Sequence, residues 1–217
     1  LHLCDRRQRQ MCIRDRQQAK EENMSEILFI NACISTGHPS RTLFLARYFL
    51  KQLAKNTQSK ITEIDLTKEN LQPLNEKTLA ARTADLDSKQ LLKPKFHYAH
   101  QLAAANFIVV AAPYWDLSFP SILKVFFEHT SAASITFTYT EHGPAGLCKA
   151  SQLYYLTTSG GVIGEYNFGY DYIRGLCALY GIEKTKLFTA EGLDIENTDV
   201  ATVMTDACRK IDLYFAQ

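Results

Sequence analysis

The chain has no long apolar stretch. None reaches the roughly 18 residues that a membrane-spanning helix needs, so no membrane partner is expected. It lacks charge of one sign as well: 24 Lys and Arg face 23 Asp and Glu, a net charge of +1. No global field therefore draws in nucleic acid or acidic lipid, and neither is expected as a partner. Six cysteines, at 4, 12, 33, 148, 177 and 208, form no C-x-x-C pair and no metal-ligand spacing with histidine. They read as scattered reduced thiols, which fits a cytoplasmic protein without a metal. Neither G-x-x-x-x-G-K-[ST] nor G-x-G-x-x-G occurs. That weighs against nucleoside triphosphate and Rossmann-type dinucleotide sites.

What remains is a chain of 217 residues, 46% hydrophobic and 22% charged, which is the composition of one globular domain with a sizeable core. The first 23 residues stand apart. "LHLCDRRQRQMCIRDRQQAKEEN" holds five arginines and four glutamines, with no aromatics to interleave with bases and no apolar core for a signal peptide. Its "MCIRDR" resembles translated adapter sequence, so residues 1–23 are expected to be an inert extension ahead of a natural start at Met24. Residues 24–217 are expected to form the domain.

From Met24 on, strand and helix patterns alternate. The short apolar run at 26–32 reads as a strand buried on both faces, 59–66 as a more exposed strand, 106–113 as the most strand-like run, and 151–159 and 183–193 as further strands. Amphipathic stretches at 40–55, 119–132, 170–181 and 198–216 read as helices. Ser40 is placed as an N-cap and Gly181 as a closing residue. Residues 67–104 are mixed, helical in part, with Pro94 near a break. Five strands alternating with helices imply right-handed parallel crossovers, hence a doubly wound α/β sheet with helices on both faces.

In such sheets ligands bind beyond the carboxyl ends of the strands. Three loops there stand out. "NACISTGHPSRT" (31–42) offers hydroxyls, Arg41 and the start of a helix, an arrangement suited to phosphate, although Ser40 has a simpler role as a cap. "PYWDL" (113–117) puts the only Trp, with a Tyr and an Asp, at the end of the most apolar strand, where rings can flank a flat ligand. "TTSGG" (157–161) combines hydroxyls with glycines that permit close backbone approach. Together they describe a mononucleotide site: one phosphate at one end and a large planar ring at the other, as in FMN.

The segments "SRTLFLARYF", "AAPYWDLSFPSILKVFFEH", "ITFTYTEHGPAGL", "YYLTTSGG" and "FTAEGL" resemble those of the FMN-dependent NADH-azoreductase and NAD(P)H:quinone oxidoreductase family. That resemblance implies a flavodoxin-like fold and a homodimer. It also implies two-electron transfer from NADH or NADPH through FMN to a quinone or azo compound. It maps the FMN phosphate to Ser40, Arg41 and Thr42. It maps the isoalloxazine ring to Tyr114, Trp115, Asp116 and Leu117 on one side, and to Thr158, Ser159, Gly160 and Gly161 on the other. Members often carry "MYNF" where this chain has "YWDL", so Asp116 replaces an amide, and Ser159 stands where some carry an arginine. A carboxylate beside the ring is expected to disfavour an anionic reduced flavin.

Two classes compete with the enzyme: a flavodoxin-like electron carrier, and a flavin-binding module without turnover. Carriers are usually strongly acidic, and this chain is not. No catalytic acid or base is singled out, since the cofactor supplies the chemistry. Glu128, His129 and His142 are expected to be surface, packing or loop residues. The segment "SITFTYTEHGPAGL" (134–147) alternates so that Phe137 and Tyr139 share a side. It is expected to pack on a second subunit and to lend both rings to the acceptor pocket.

Overall fold

The computed structural model describes residues 25–35 and 37–216; the expected extension over 1–23 lies outside them. Five parallel strands form the central sheet: β1 (Glu26–Asn31), β2 (Lys60–Asp65), β3 (Phe107–Ala111), β6 (Gln152–Thr158) and β7 (Lys184–Ala190). A separate hairpin holds β4 (Phe137–Thr140) and β5 (Gly143–Gly146). The helices are α1 (Arg41–Thr57), α2 (Glu76–Asp87), α3 (His97–Ala104), α4 (Ser121–Thr130), α5 (Phe168–Tyr180) and α6 (Val200–Phe215). In the sheet the order is β2-β1-β3-β6-β7, so β2 and β7 are its edges. Chain direction across the sheet reverses between β1 and β3, and the crevice of a doubly wound fold opens there.

The apolar runs are continuous because both faces of the sheet are covered. Ile27 and Phe29 of β1, with Val109 of β3 and Leu156 of β6, pack against Leu45 and Phe49 of α1 and Ile211 of α6. Their neighbours Leu28, Ile30, Val110 and Tyr155 point the other way, against Leu102 of α3, Phe126 of α4 and Ile173 of α5. Ser40 caps α1 as expected, accepting the Leu43 N–H at 3.2 Å. Gly181 closes α5 in a left-handed conformation, φ 79°.

The mixed region after β2 contains a helix that hydrophobic periodicity does not reveal. α2 buries only Asp85. Its ends hold it instead. Asn75 and Thr78 form a reciprocal capping box, and Asp85 pairs with Lys93 at 2.5 Å and Lys95 at 2.7 Å. Pro94 opens a single 3₁₀ turn that leads directly into α3.

The 134–147 segment is a two-stranded hairpin, with Phe137 opposite Gly146 and Tyr139 opposite Pro144. Its root lies at the amino ends of the sheet strands, where the Cys148 N–H donates to Tyr180 O at the end of α5. Gly146 presses on that helix end: a Cβ there would stand 2.0 Å from Gly181 N and from the Tyr180 carbonyl carbon. Phe137 and Tyr139 do share a side, with ring centroids 5.5 Å apart, yet their environments differ. Phe137 is buried in its own domain's core, while Tyr139 remains 73% exposed. The expectation that both rings serve an acceptor pocket is therefore corrected for Phe137. The root of a hairpin that rests on the core has to bury its apolar residue there.

Burial also acts on the thiols of Cys33, Cys148 and Cys177, pushing each from 9.0 up to about 12. In the unfolded chain these thiols ionise at lower pH than in the fold, so at alkaline pH the native state binds more protons and is disfavoured. Denaturant titrations should find this contribution fully present below pH 9 and stability falling as pH rises from 9 towards 12. Replacing all three by alanine or valine should flatten that decline.

Candidate functional site

At the end of β1 the chain turns on Asn31, whose buried side chain accepts the Cys33 N–H at 3.0 Å and donates to Glu63 at 3.1 Å. Cys33 itself is buried with its thiol toward Ala111 O. It stays protonated at neutral pH, because burial outweighs the lowering effect of a hydrogen bond from Ser40. It is therefore a packing residue and not a nucleophile. The loop then reaches α1, whose first-turn N–H groups have no partner within the helix and whose dipole favours an anion.

The second loop leaves β3 at Pro113. The Tyr114 N–H donates to Thr158 O at 3.0 Å, and the Tyr114 hydroxyl donates to Tyr166 O at 2.9 Å. Trp115 and Ser118 then exchange two backbone hydrogen bonds, 3.2 and 2.7 Å, around a tight turn. Both central residues are left-handed, Asp116 at φ 47° and Leu117 at φ 64°. Asp and Asn tolerate that region better than most residues, which gives a backbone reason for either at 116. Asp116 and Leu117 are exposed at the tip of the turn and do not line the cleft beside it.

The third loop, after β6, is knitted to the loop after β7. Ser159 N–H donates to Ala190 O, Leu193 N–H to Ser159 O and Asp194 N–H to Gly160 O, all at 2.9–3.1 Å. The Thr158 hydroxyl meets that of Thr42 at 2.6 Å in a fully buried pair. Arg41 crosses to the same region, donating to Leu193 O at 3.1 Å and to Asp194 Oδ1 at 2.8 Å.

These loops enclose a cleft of about 510 Å³ at the carboxyl ends of the strands. The first loop contributes Ser40, Arg41 and Thr42, the second Tyr114 and Trp115, and the third Thr158, Ser159 and Gly160. The cleft thus brings together eight of the residues singled out from the sequence. Gly161 does not line it, nor do Phe137 and Tyr139, which sit on the hairpin. Asp194 does line it and was not anticipated. Its signal was an acid placed just past a strand end, four residues after Ala190. Glu128 pairs with Lys124 at 2.5 Å and His129 with Gln72 O at 2.8 Å, which leaves both outside the site as expected.

The family model for the flavodoxin-like fold matches residues 25–214. An FMN-dependent NADH:quinone oxidoreductase of Coprothermobacter proteolyticus is 30% identical over 195 residues, 87% of this chain and 97% of that protein. One from Clostridium perfringens is 34% identical over 183 residues, 83% and 90% of the two chains. Among solved structures, an FMN-dependent NADH-azoreductase of Bacillus anthracis in complex with FMN superposes with a TM-score of 0.75 at 20% identity, covering 89% of this chain and 98% of that one. The sheet order, the placement of the cleft and these matches agree. The chain belongs to the flavodoxin-like fold family, alongside the FMN-dependent NADH:quinone oxidoreductases that it matches over nearly their whole length.

Proposed function

We propose that this chain is an FMN-dependent oxidoreductase that takes two electrons from NADH or NADPH and passes them to a quinone or azo compound. The observation that carries this reading is the cleft at the β1/β3 reversal, with an open helix N-terminus on one side and Pro113, Tyr114 and Trp115 on the other. The residues present fit FMN. The first-turn N–H groups of α1 and the Ser40 hydroxyl at its start suit one terminal phosphate. The wall formed by Pro113, Tyr114 and Trp115 suits a flat ring system. When bound, FMN supplies the two-electron redox chemistry. The protein is left to bind, orient and exclude water.

Within this reading the Thr42 and Thr158 hydroxyls hold the two sides of the cleft at a fixed separation. Trp115, 45% exposed, is available for stacking. A rim of exposed apolar residues, Leu117, Val162, Tyr166 and Phe168, lies on the segments that flank the cleft. Such a patch and the hairpin bearing Tyr139 both call for cover, and a two-fold partner is the commonest solution. We therefore read the protein as a homodimer in which Tyr139 reaches toward the partner. The free thiols at 33, 148, 177 and 208 suit a reducing cytoplasm.

Flavin released by heat should be FMN, because the described residues of the cleft offer one helix N-terminus and no second donor set for a pyrophosphate; FAD in the supernatant would overturn the assignment. Initial rates at several fixed acceptor concentrations should give parallel lines, since donor and acceptor use one cleft in turn. An intersecting pattern would require separate sites, and a yellow protein without turnover would favour the carrier. Replacing Ser40 and Thr42 together by alanine should weaken FMN binding by about 1.5–3 kcal/mol for each charge-assisted hydrogen bond lost, measured by fluorescence quenching. Light scattering at micromolar concentration should give twice the chain mass, and Tyr139→Ala should raise the acceptor KM more than it slows reduction by NAD(P)H. A fully active monomer would reject the shared pocket.

A further inference from the structure

Arg41 is the cation one would assign to an anionic ligand, yet its guanidinium is already engaged. One terminal nitrogen donates to Leu193 O at 3.1 Å and the other to Asp194 Oδ1 at 2.8 Å. The acceptor side is equally fixed. Asp194 donates its N–H to Gly160 O, Leu193 donates to Ser159 O and Gly192 donates to Gly161 O. The Asp194 carboxylate also occupies the space a side chain at 160 would need: a Cβ on Gly160 would stand 2.4 Å from Asp194 Oδ2. The guanidinium thus links the start of α1 to the loop after β7, and that loop is stitched to the Ser159–Gly161 loop, of which Ser159 and Gly160 line the cleft.

We propose that Arg41 and Asp194 form a positioning clamp that sets the spacing between the α1 N-terminus and the Ser159–Gly161 loop, and that Arg41 is not the phosphate's counter-ion. This rests on the flavin reading above. A phosphate drawn to Arg41 would also meet the Asp194 carboxylate, and the pair as a whole carries no net charge. Donors that bring no carboxylate with them, the first-turn N–H groups and the Ser40 hydroxyl, are the ones left for the anion. The two side chains are 39% and 65% exposed, so solvent weakens their attraction. The clamp depends mainly on the planar fork, which holds a carbonyl and a carboxylate at once. Lysine cannot reproduce that geometry.

The test compares wild type with Arg41→Met, Arg41→Lys, Asp194→Ala and the Arg41→Met/Asp194→Ala double variant, using the full chain stripped of flavin. Hydrogen exchange at the Ser159, Gly192, Leu193 and Asp194 amides should accelerate in all four variants, lysine included. FMN and riboflavin should both lose affinity by about three- to tenfold in each. The ratio of their affinities should stay that of wild type, and the double variant should be no worse than either single one. Loss confined to FMN, or its restoration by lysine, would make Arg41 a phosphate ligand and overturn the clamp. Unchanged exchange in Arg41→Met would overturn it too. Failure of wild type to bind either flavin would sink the FMN reading instead, while the exchange rates still decide the clamp.

Discussion

At the carboxyl end of β6, Thr158 accepts the Tyr114 amide on its carbonyl and shares its hydroxyl with Thr42, so the loops after β1, β3 and β6 meet at one residue. None of the three could hold its shape alone. The β1 loop is long, the β3 loop contains two strained residues, and the β6 loop is rich in glycine. A buried hydroxyl pair is demanding, since either partner left unsatisfied would cost about 1–3 kcal/mol. That cost makes the pairing specific and fixes how far the start of α1 stands from the sheet. The cleft takes its width from this contact.

The tight turn at Trp115 depends on the same anchor. Two consecutive non-glycine residues in the left-handed region carry strain of order 1–3 kcal/mol each, which persists only where surrounding contacts hold it. Here they do so from both sides. Tyr114 is tied to Thr158 and to Tyr166, and Leu117 O accepts the Phe168 N–H at 3.1 Å. The gain is position: the turn keeps Trp115 at the cleft while Asp116 faces solvent. The negative charge that the sequence brings to this loop is accordingly hydrated at the tip.

Much of this could be read from the sequence, for a specific reason. Strands buried on both faces leave unbroken apolar runs, and the helices that cover them show stripes such as Leu45, Phe49 and Leu53. Sheet and crossovers follow, and with them the three loops of the cleft. What could not be read depended on partners far along the chain. α2 has almost no apolar face, and its cap is a short local pattern among many similar ones. Arg41 looked like a free cation because Asp194 lies 153 positions away. Phe137 and Tyr139 are equivalent by alternation, and only the contact of the hairpin root with the core makes one buried and the other exposed.

Among the described residues the sheet ends on two unpaired strands, each a template for pairing with another molecule. β2 presents Lys60 to solvent, and β7 presents Lys184 and Lys186. Lys186 also lays its ammonium 5.7 Å from the ring centre of Tyr214 and 5.9 Å from that of Phe188, shielding aromatic surface beside the edge. Lysines on an exposed edge discourage backbone pairing, because an approaching strand would have to strip water from them. The chain thus carries its own guard against edge-to-edge aggregation, on the two outer strands of the sheet.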